Sequence, residues 1–239
     1  MKIALIGYGK MGKAIEIEAI KRGHTILTKV DKKEDLPKIA DADCAIEFTI
    51  PDACEENILF AVEHNIPIVV GTTGWYGQYE TIKQAVIANN GAMLSATNFS
   101  IGVNILFKIN DYLSKVMNKF DEYQPEMEEI HHLQKLDHPS GTAITLANSI
   151  VQNMDKITRY DGYLEGDIFS ISNNCLSILS KRAVEVPGTH TINYVSEIDE
   201  ITISHRAKNR TGFAVGAVIA AEWLIDKRGV YTMSDVLGI

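Results

Sequence analysis

The chain has 239 residues, 46% of them hydrophobic and 23% charged, an ordinary balance for a globular protein and enough length for one large or two small domains. A net charge of −8 argues against non-specific nucleic-acid binding, although a local cationic pocket can still hold a small anion. Three cysteines, Cys44, Cys54 and Cys175, lie far apart without CxxC spacing, which argues against a disulfide framework and for reduced thiols in a cytoplasmic protein.

The opening run Met1–Ile6 has neither the length nor the cleavage site of a signal peptide. It reads instead as a strand, Ile3–Ile6, entering a glycine turn. Lys10–Lys21 follows as a helix whose apolar face is Met11, Ala14, Ile15 and Ala19. Strands are expected at Thr25–Val30, Cys44–Phe48, Ile66–Val70 and Ala92–Ser95, with helices at Asp52–His64 and Tyr76–Asn89. Such alternation implies a parallel sheet covered on both faces. After about Asn98 the pattern changes. A long helix is predicted over Ile101–Lys119, a strand over Glu126–His132 opened by Pro125, and a helix over Gly141–Gln152. Further strands are predicted at Ile168–Leu179, Ala183–Val186, His190–Ser196 and Glu200–Arg206, the last with clean period-2 alternation. A final helix, Gly212–Asp226, is apolar on most sides and is expected to pack back on the first domain, with Tyr231–Ile239 as a small tail. The most apolar stretch, Phe213–Ile225, contains Glu222 and is too short to span a bilayer, so no membrane partner is expected.

The expected fold class is therefore α/β: a Rossmann-type dinucleotide-binding domain plus an α+β domain with a mixed open sheet. The first domain is assigned residues 1–99 and 212–239, the second residues 100–211, with a compact hinge near Ser95–Val103 and a second crossing near Arg210.

Gly7-Tyr8-Gly9-Lys10-Met11-Gly12 matches GxGxxG. The motif alone is common, but here it follows a strand and opens a helix, as a dinucleotide fingerprint requires. An acidic residue is expected after the second strand, and Asp31 stands there. A ribose hydroxyl on Asp31 favours NADH, whereas Lys32 and Lys33 could pair with the 2′-phosphate of NADPH, or simply be solvated. Gly71-Thr72-Thr73-Gly74 and Ala96-Thr97-Asn98-Phe99-Ser100 follow later strands, where ligands bind in such sheets. Asn98 could fix a nicotinamide carboxamide and Phe99 pack near its ring; turn formation and hinge packing without ligand contact are the alternatives.

Chemistry concentrates in the run from Glu129 to Ala143. His131 and His132 can exchange protons near neutral pH, and Lys135 adds a compact positive charge. Neighbours on a strand face opposite ways, so the two histidines could hardly chelate one ion, and no zinc-binding spacing is present. Ser140-Gly141-Thr142 reads as a helix start, whose backbone N–H groups can hold a carboxylate. His138 reads as structural.

This run resembles the signature of the dihydrodipicolinate reductase family. GYGKMG, GTTG, TNFSIGVN, PGTHT and RAKNRTGFAVGAVIAAEWL fall in that family's order over nearly the whole chain. The resemblance implies reduction of 4-hydroxy-tetrahydrodipicolinate, a cyclic dicarboxylate, to tetrahydrodipicolinate by NADPH or NADH with loss of water, in diaminopimelate and lysine biosynthesis. It implies His131 as proton donor/acceptor, Lys135 as a second donor, and His132, Ser140, Gly141 and Thr142 at the substrate. It also implies a nucleotide site formed by Gly7–Gly12, Asp31, Gly71–Thr73 and Ala96–Phe99, domain closure, and a homotetramer built through the second domain's sheet. The stretch between Asp31 and Cys44 is shorter than in many relatives, and Thr97 stands where they often carry alanine. The rival from another class is a non-catalytic NAD(P)-sensing protein on the same scaffold, which would need no proton donor. A third reading keeps the redox chemistry on another cyclic imine or keto acid.

Overall fold

The computed structural model describes residues 1–168 and 172–239. One compact unit comprises Met1–Ile101 and Arg210–Ile239, the other Gly102–Asn209. The first unit begins with β1 (Lys2–Ile6), α1 (Lys10–Lys21), β2 (Thr25–Val30), β3 (Cys44–Glu47), α2 (Pro51–Glu63), β4 (Ile68–Val70), α3 (Tyr79–Ala88) and β5 (Ala92–Ser95). The second contains most of α4 (Ile101–Met117), then β6 (Gln124–His132), α5 (Gly141–Asn153), β7 (Arg159–Leu164), β8 (Cys175–Ala183), β9 (Thr189–Val195) and β10 (Glu200–Arg206). The chain then completes the first unit with α6 (Thr211–Leu224), β11 (Gly229–Tyr231) and α7 (Met233–Leu237).

In the first unit the strands form a wholly parallel six-stranded sheet, ordered β11-β5-β4-β3-β1-β2. Period-2 alternation sends Ile3 and Leu5 to one face and Ala4 and Ile6 to the other, and each face buries its own apolar cluster. Helix α6 packs on the first of these through Ala214, Ala217, Val218 and Ala221, as its all-round apolar sequence requires. The C-terminal tail is more than a tail. Gly229–Tyr231 pairs with β5, and Thr232 and Asp235 close a reciprocal capping box on α7.

In the second unit a mixed five-stranded sheet runs β10-β9-β6-β8-β7, with β6 antiparallel to β9 and parallel to β8. Its inner face, including Met127, Ile178, Ile192 and Tyr194, packs with Leu106 of α4 and Leu146 and Ile150 of α5. Two strand expectations are corrected. The strand placed at Ile168–Leu179 begins only at Cys175, after a turn at Asn173-Asn174; residues 169–171 of that expectation lie outside the described residues. The strand placed at Ala183–Val186 is the end of β8 followed by a turn, with Glu185 at φ 56°. Its β-branched residues sit where the chain reverses. Strand β7 went unpredicted because Arg-Tyr-Asp-Gly-Tyr-Leu is a polar edge sequence with little apolar alternation.

Candidate active site

The inner face of β6 is apolar at Met127 and then carries Glu129 and His131, both buried. The register places Ser180 of β8 and His190 of β9 directly beside Glu129, forming a row across three strands. The next row is Arg182, His131 and the residue before β9, Gly188. His132 points the other way and is half-buried, so the adjacent histidines serve different faces, as their strand position required.

The start of α5 lies against this row. Ser140 caps the helix, its Oγ accepting from the Ala143 N–H at 3.2 Å. The Ser140 backbone N–H donates to both Glu129 oxygens at 3.0 and 3.2 Å, and the Ser180 hydroxyl donates at 2.8 Å. His190 Nε2 lies 3.1 Å from Ser140 Oγ and 3.5 Å from Glu129 Oε2. Burial disfavours the charged carboxylate, yet hydrogen bonds from His190, Ser140 and Ser180, with His131 nearby, hold its pKa down to about 2. The His131 pKa is lowered too, to about 4, by desolvation and by His190, with Glu129 opposing. Its ring is therefore neutral near pH 7. Gly141 is exposed at the first helical position and Thr142 is buried beside it. Glu129, His131 and His190 bring possible metal-ligand atoms within 4.8 Å of one another. Within this cluster Glu129 already accepts from the Ser140 N–H and the Ser180 hydroxyl.

Lys135 lies in the loop between β6 and α5, where Asp137 accepts from Nζ through both oxygens at 2.8 Å. Burial, the largest single influence, raises the Asp137 pKa, but the hydrogen bond and charge of Lys135 and a local backbone hydrogen bond together outweigh it and the net shift is downward. Arg182 clamps the same loop, donating to the Lys135 and Asp137 carbonyls at 3.0 Å each.

In the first unit, Gly7, Tyr8, Gly9, Asp31, Lys32 and Lys33 line a cavity of about 400 Å³ with Phe48, Thr49, Ile50 and Asn57. Gly7 has φ +89°, and a Cβ there would sit 2.1 Å from the Phe48 carbonyl oxygen. A Cβ on Gly9 would meet nothing within 4 Å, so the turn leaves room for a ligand against its backbone. Asp31 Oδ1 accepts from the Tyr8 N–H at 2.7 Å, so the expected ribose ligand also braces the glycine turn. These features fit a dinucleotide. Lys10, Met11 and Gly12 open α1 but are not in the cavity wall, and Lys33 pairs with Glu56 at 2.6 Å. Gly71, Thr72 and Thr73 follow β4, and Thr72 Oγ1 accepts from the Thr49 N–H at 2.7 Å. Ala96–Phe99 follows β5. Asn98 Oδ1 accepts from the Ser100 N–H, and Phe99 packs into the core with Phe48.

Sequence reasoning gave no role to Glu129, Ser180, Arg182, Gly188 or His190. The PGTHT motif contains Gly188 and His190, yet only strand register brings them beside β6. Thr49, Ile50 and Asn57 were missed in the cavity because the β3–α2 connection carries no glycine signature.

A glycine-turned parallel sheet, with a second unit whose buried histidine–carboxylate row ends at a helix N-terminus, defines a two-part dinucleotide-dependent oxidoreductase. Comparison with known proteins narrows this. Residues 1–99 match the family described as "Dihydrodipicolinate reductase, N-terminus", and residues 102–237 the one described as "Dihydrodipicolinate reductase, C-terminus". The chain is 44% identical over 239 residues to a 4-hydroxy-tetrahydrodipicolinate reductase of Christiangramia forsetii, covering 99% of this chain and 98% of that one. It is 34% identical to that of Methanocaldococcus jannaschii, covering 98% and 81%. A dipicolinate-bound dihydrodipicolinate reductase from Paenisporosarcina sp. TG-14 shares the fold, with TM-score 0.75 over 97% of each chain at 20% identity. The chain belongs to the dihydrodipicolinate reductase family.

Proposed function

We propose that the protein reduces 4-hydroxy-tetrahydrodipicolinate to tetrahydrodipicolinate, consuming NAD(P)H and a proton and releasing water. Buried His131, on the same face of β6 as Glu129, which is itself bonded to the capped start of α5, carries the reading. That arrangement suits an anionic substrate that must also receive a proton, and the full-length relatives bear the same activity in their names.

Bound NAD(P)H supplies the hydride, held by the Gly7–Gly12 turn, Asp31 and the loops carrying Gly71–Thr73 and Ala96–Phe99. One substrate carboxylate lies on the backbone amides of Gly141 and Thr142, where the helix N-terminus favours negative charge. Ser140 keeps that turn in shape, and His132 contributes a polar contact. His131 is neutral in the free protein, so it takes up a proton as the dianionic substrate raises its basicity, then delivers it as charge develops on the ring. Lys135 stabilises that charge or acts as a second donor once Asp137 lets go.

We place the protein in the cytoplasm as a homotetramer assembled through the sheet of the second unit. All three cysteines are free and buried, and among the described residues no helix is long and apolar enough to cross a membrane. Light scattering behind gel filtration reads the assembly. The function is tested by a coupled assay with pyruvate, aspartate semialdehyde, a dihydrodipicolinate synthase and NADPH or NADH. Absorbance should fall on adding the protein. Cofactor binding without turnover would mean a sensor and sink the enzymatic reading.

A further inference from the structure

We propose that Glu129 is a positioning residue that fixes the tautomer of His131, directing its Nε2 to proton exchange, and ties that ring to the substrate-binding start of α5. The inference deepens the proposed reaction and rests on it.

Glu129 is fully buried, and an ionised carboxylate in that setting is tolerated only when donors surround it. Ser180 and His190 are its direct cross-strand neighbours and could serve a purely structural carboxylate. Two further contacts exceed that role. One is the Ser140 N–H, the backbone of the helix cap next to Gly141 and Thr142. The other is His131, whose Nδ1 is buried, has no hydrogen-bond partner, and lies 3.6 Å from Glu129 Oε2. That separation is too long for a hydrogen bond, but a ring movement of roughly half an ångström closes it, and catalytic contacts commonly tighten when substrate arrives. The opposite ring atom, Nε2, faces Gly188, where a Cβ would come within 3.2 Å. Glycine there keeps Nε2 clear. A proton on Nδ1 aimed at Glu129 leaves the Nε2 lone pair to accept a proton and pass it on.

The other charged or titratable groups acting on His131 are cationic or histidine: His190 on β9, with ring centroids 5.0 Å apart, Lys135 in the β6–α5 loop and Arg182 on β8. Glu129 is the anionic one among them. Removing its charge leaves the ring facing only groups that oppose its protonation. Because the same carboxylate holds the Ser140 amide, the effect should reach the substrate's carboxylate as well as the proton.

The test has two arms. In the intact protein, ¹⁵N chemical shifts of His131 at pH 7 should report the Nδ1–H tautomer; a resting Nε2–H tautomer overturns the proposal, whether or not any variant folds. In the second arm Glu129→Gln, nearly isosteric, is assayed with the coupled system. Its kcat should fall about 100-fold or more, as for loss of positioned acid–base catalysis. Its KM for substrate should rise several-fold, the limb along which activity falls with rising pH should move to lower pH, and NAD(P)H affinity should stay within twofold. A folded Glu129→Gln protein with parental kcat and pH profile overturns the proposal. Absence of turnover in the unaltered protein would instead sink the reaction assignment, while the tautomer measurement still judges Glu129.

Discussion

Replacing Gly9 by alanine separates the fold of the glycine turn from its use. Gly9 stands at the N-cap of α1 with φ −78° and ψ −150°, an extended backbone open to alanine, and its added Cβ would meet no atom within 4 Å. Folding stability should therefore change by no more than about 0.5 kcal/mol. The same empty space is where a pyrophosphate must approach if the dinucleotide lies on this turn. A methyl group there holds the phosphate oxygens off the backbone amides, and losing one charge-assisted hydrogen bond costs about 1.5–3 kcal/mol, or roughly a 10- to 150-fold rise in Kd. Calorimetric titration with NADPH, alongside urea unfolding, reads both quantities. Gly7→Ala is the contrast. Its Cβ would sit 2.1 Å from the Phe48 carbonyl oxygen and 2.9 Å from Thr49 Cγ2, at φ +89°, where neither the turn nor the β3 exit can yield cheaply. That variant should lose about 1–3 kcal/mol or more of stability. A folded Gly9→Ala protein that binds NADPH within twofold of the parent would remove the dinucleotide from this turn. Unfolding of Gly9→Ala would show that the open space has been misread.

The proton and carboxylate roles divide by kinetics: His131→Gln should lower kcat by about 100- to 10,000-fold with little change in KM, and an intact kcat ends the assignment. Thr142→Val should mainly raise KM; a pure kcat loss would place the substrate elsewhere. Lys32→Ala should weaken NADPH by up to about tenfold, as for an exposed charge pair, and leave NADH unchanged; equal losses would mean the lysine does not see the 2′-phosphate. The His131 pKa, about 4 when folded against 6.5 for the free side chain, makes stability depend on pH. The unfolded chain binds more protons between those values, so stability is lost as pH falls from about 6.5 towards 4, by on the order of 3 kcal/mol. Glu129 is depressed from 4.5 to about 2, so the stability it contributes is present above pH 4.5 and lost below it, under most of the His131 window. Urea unfolding at pH 7 and pH 4.5 should show a drop that His131→Gln flattens; equal drops in the two proteins would refute the buried neutral histidine.

What the sequence disclosed is what short-range pattern can carry. β1, α1, β2, β5 and β10 lie within a residue of their expected limits because each is a short apolar run, a period-2 alternation or a clear amphipathic period. β7 and β11 were missed because their places come from neighbouring strands: β7 pairs with β8 through polar residues, and β11 is three residues docked on β5. The site divides the same way. His131, Lys135 and Ser140–Thr142 share one loop and its flanks, so they stand out together in the chain as a candidate site. Ser180 is 51 residues from Glu129, and His190 is 50 from Ser140. Nothing local announces that these side chains meet.

That long-range row also changes what the local motif means. By residue type, the histidine and the anion-binding turn are independent parts, one for protons and one for the substrate. Glu129 makes them a single unit, because the carboxylate beside His131 also accepts from the N-cap amide of α5. The helix N-terminus helps stabilise the buried anion, and the anion in turn opposes the loss of basicity that burial imposes on His131. Weakening the Ser140 cap should therefore disturb proton transfer, and removing the carboxylate should disturb substrate binding. In the proposed reaction KM and kcat effects are coupled through one buried group, and a substitution there is assigned to binding or chemistry only by measuring both.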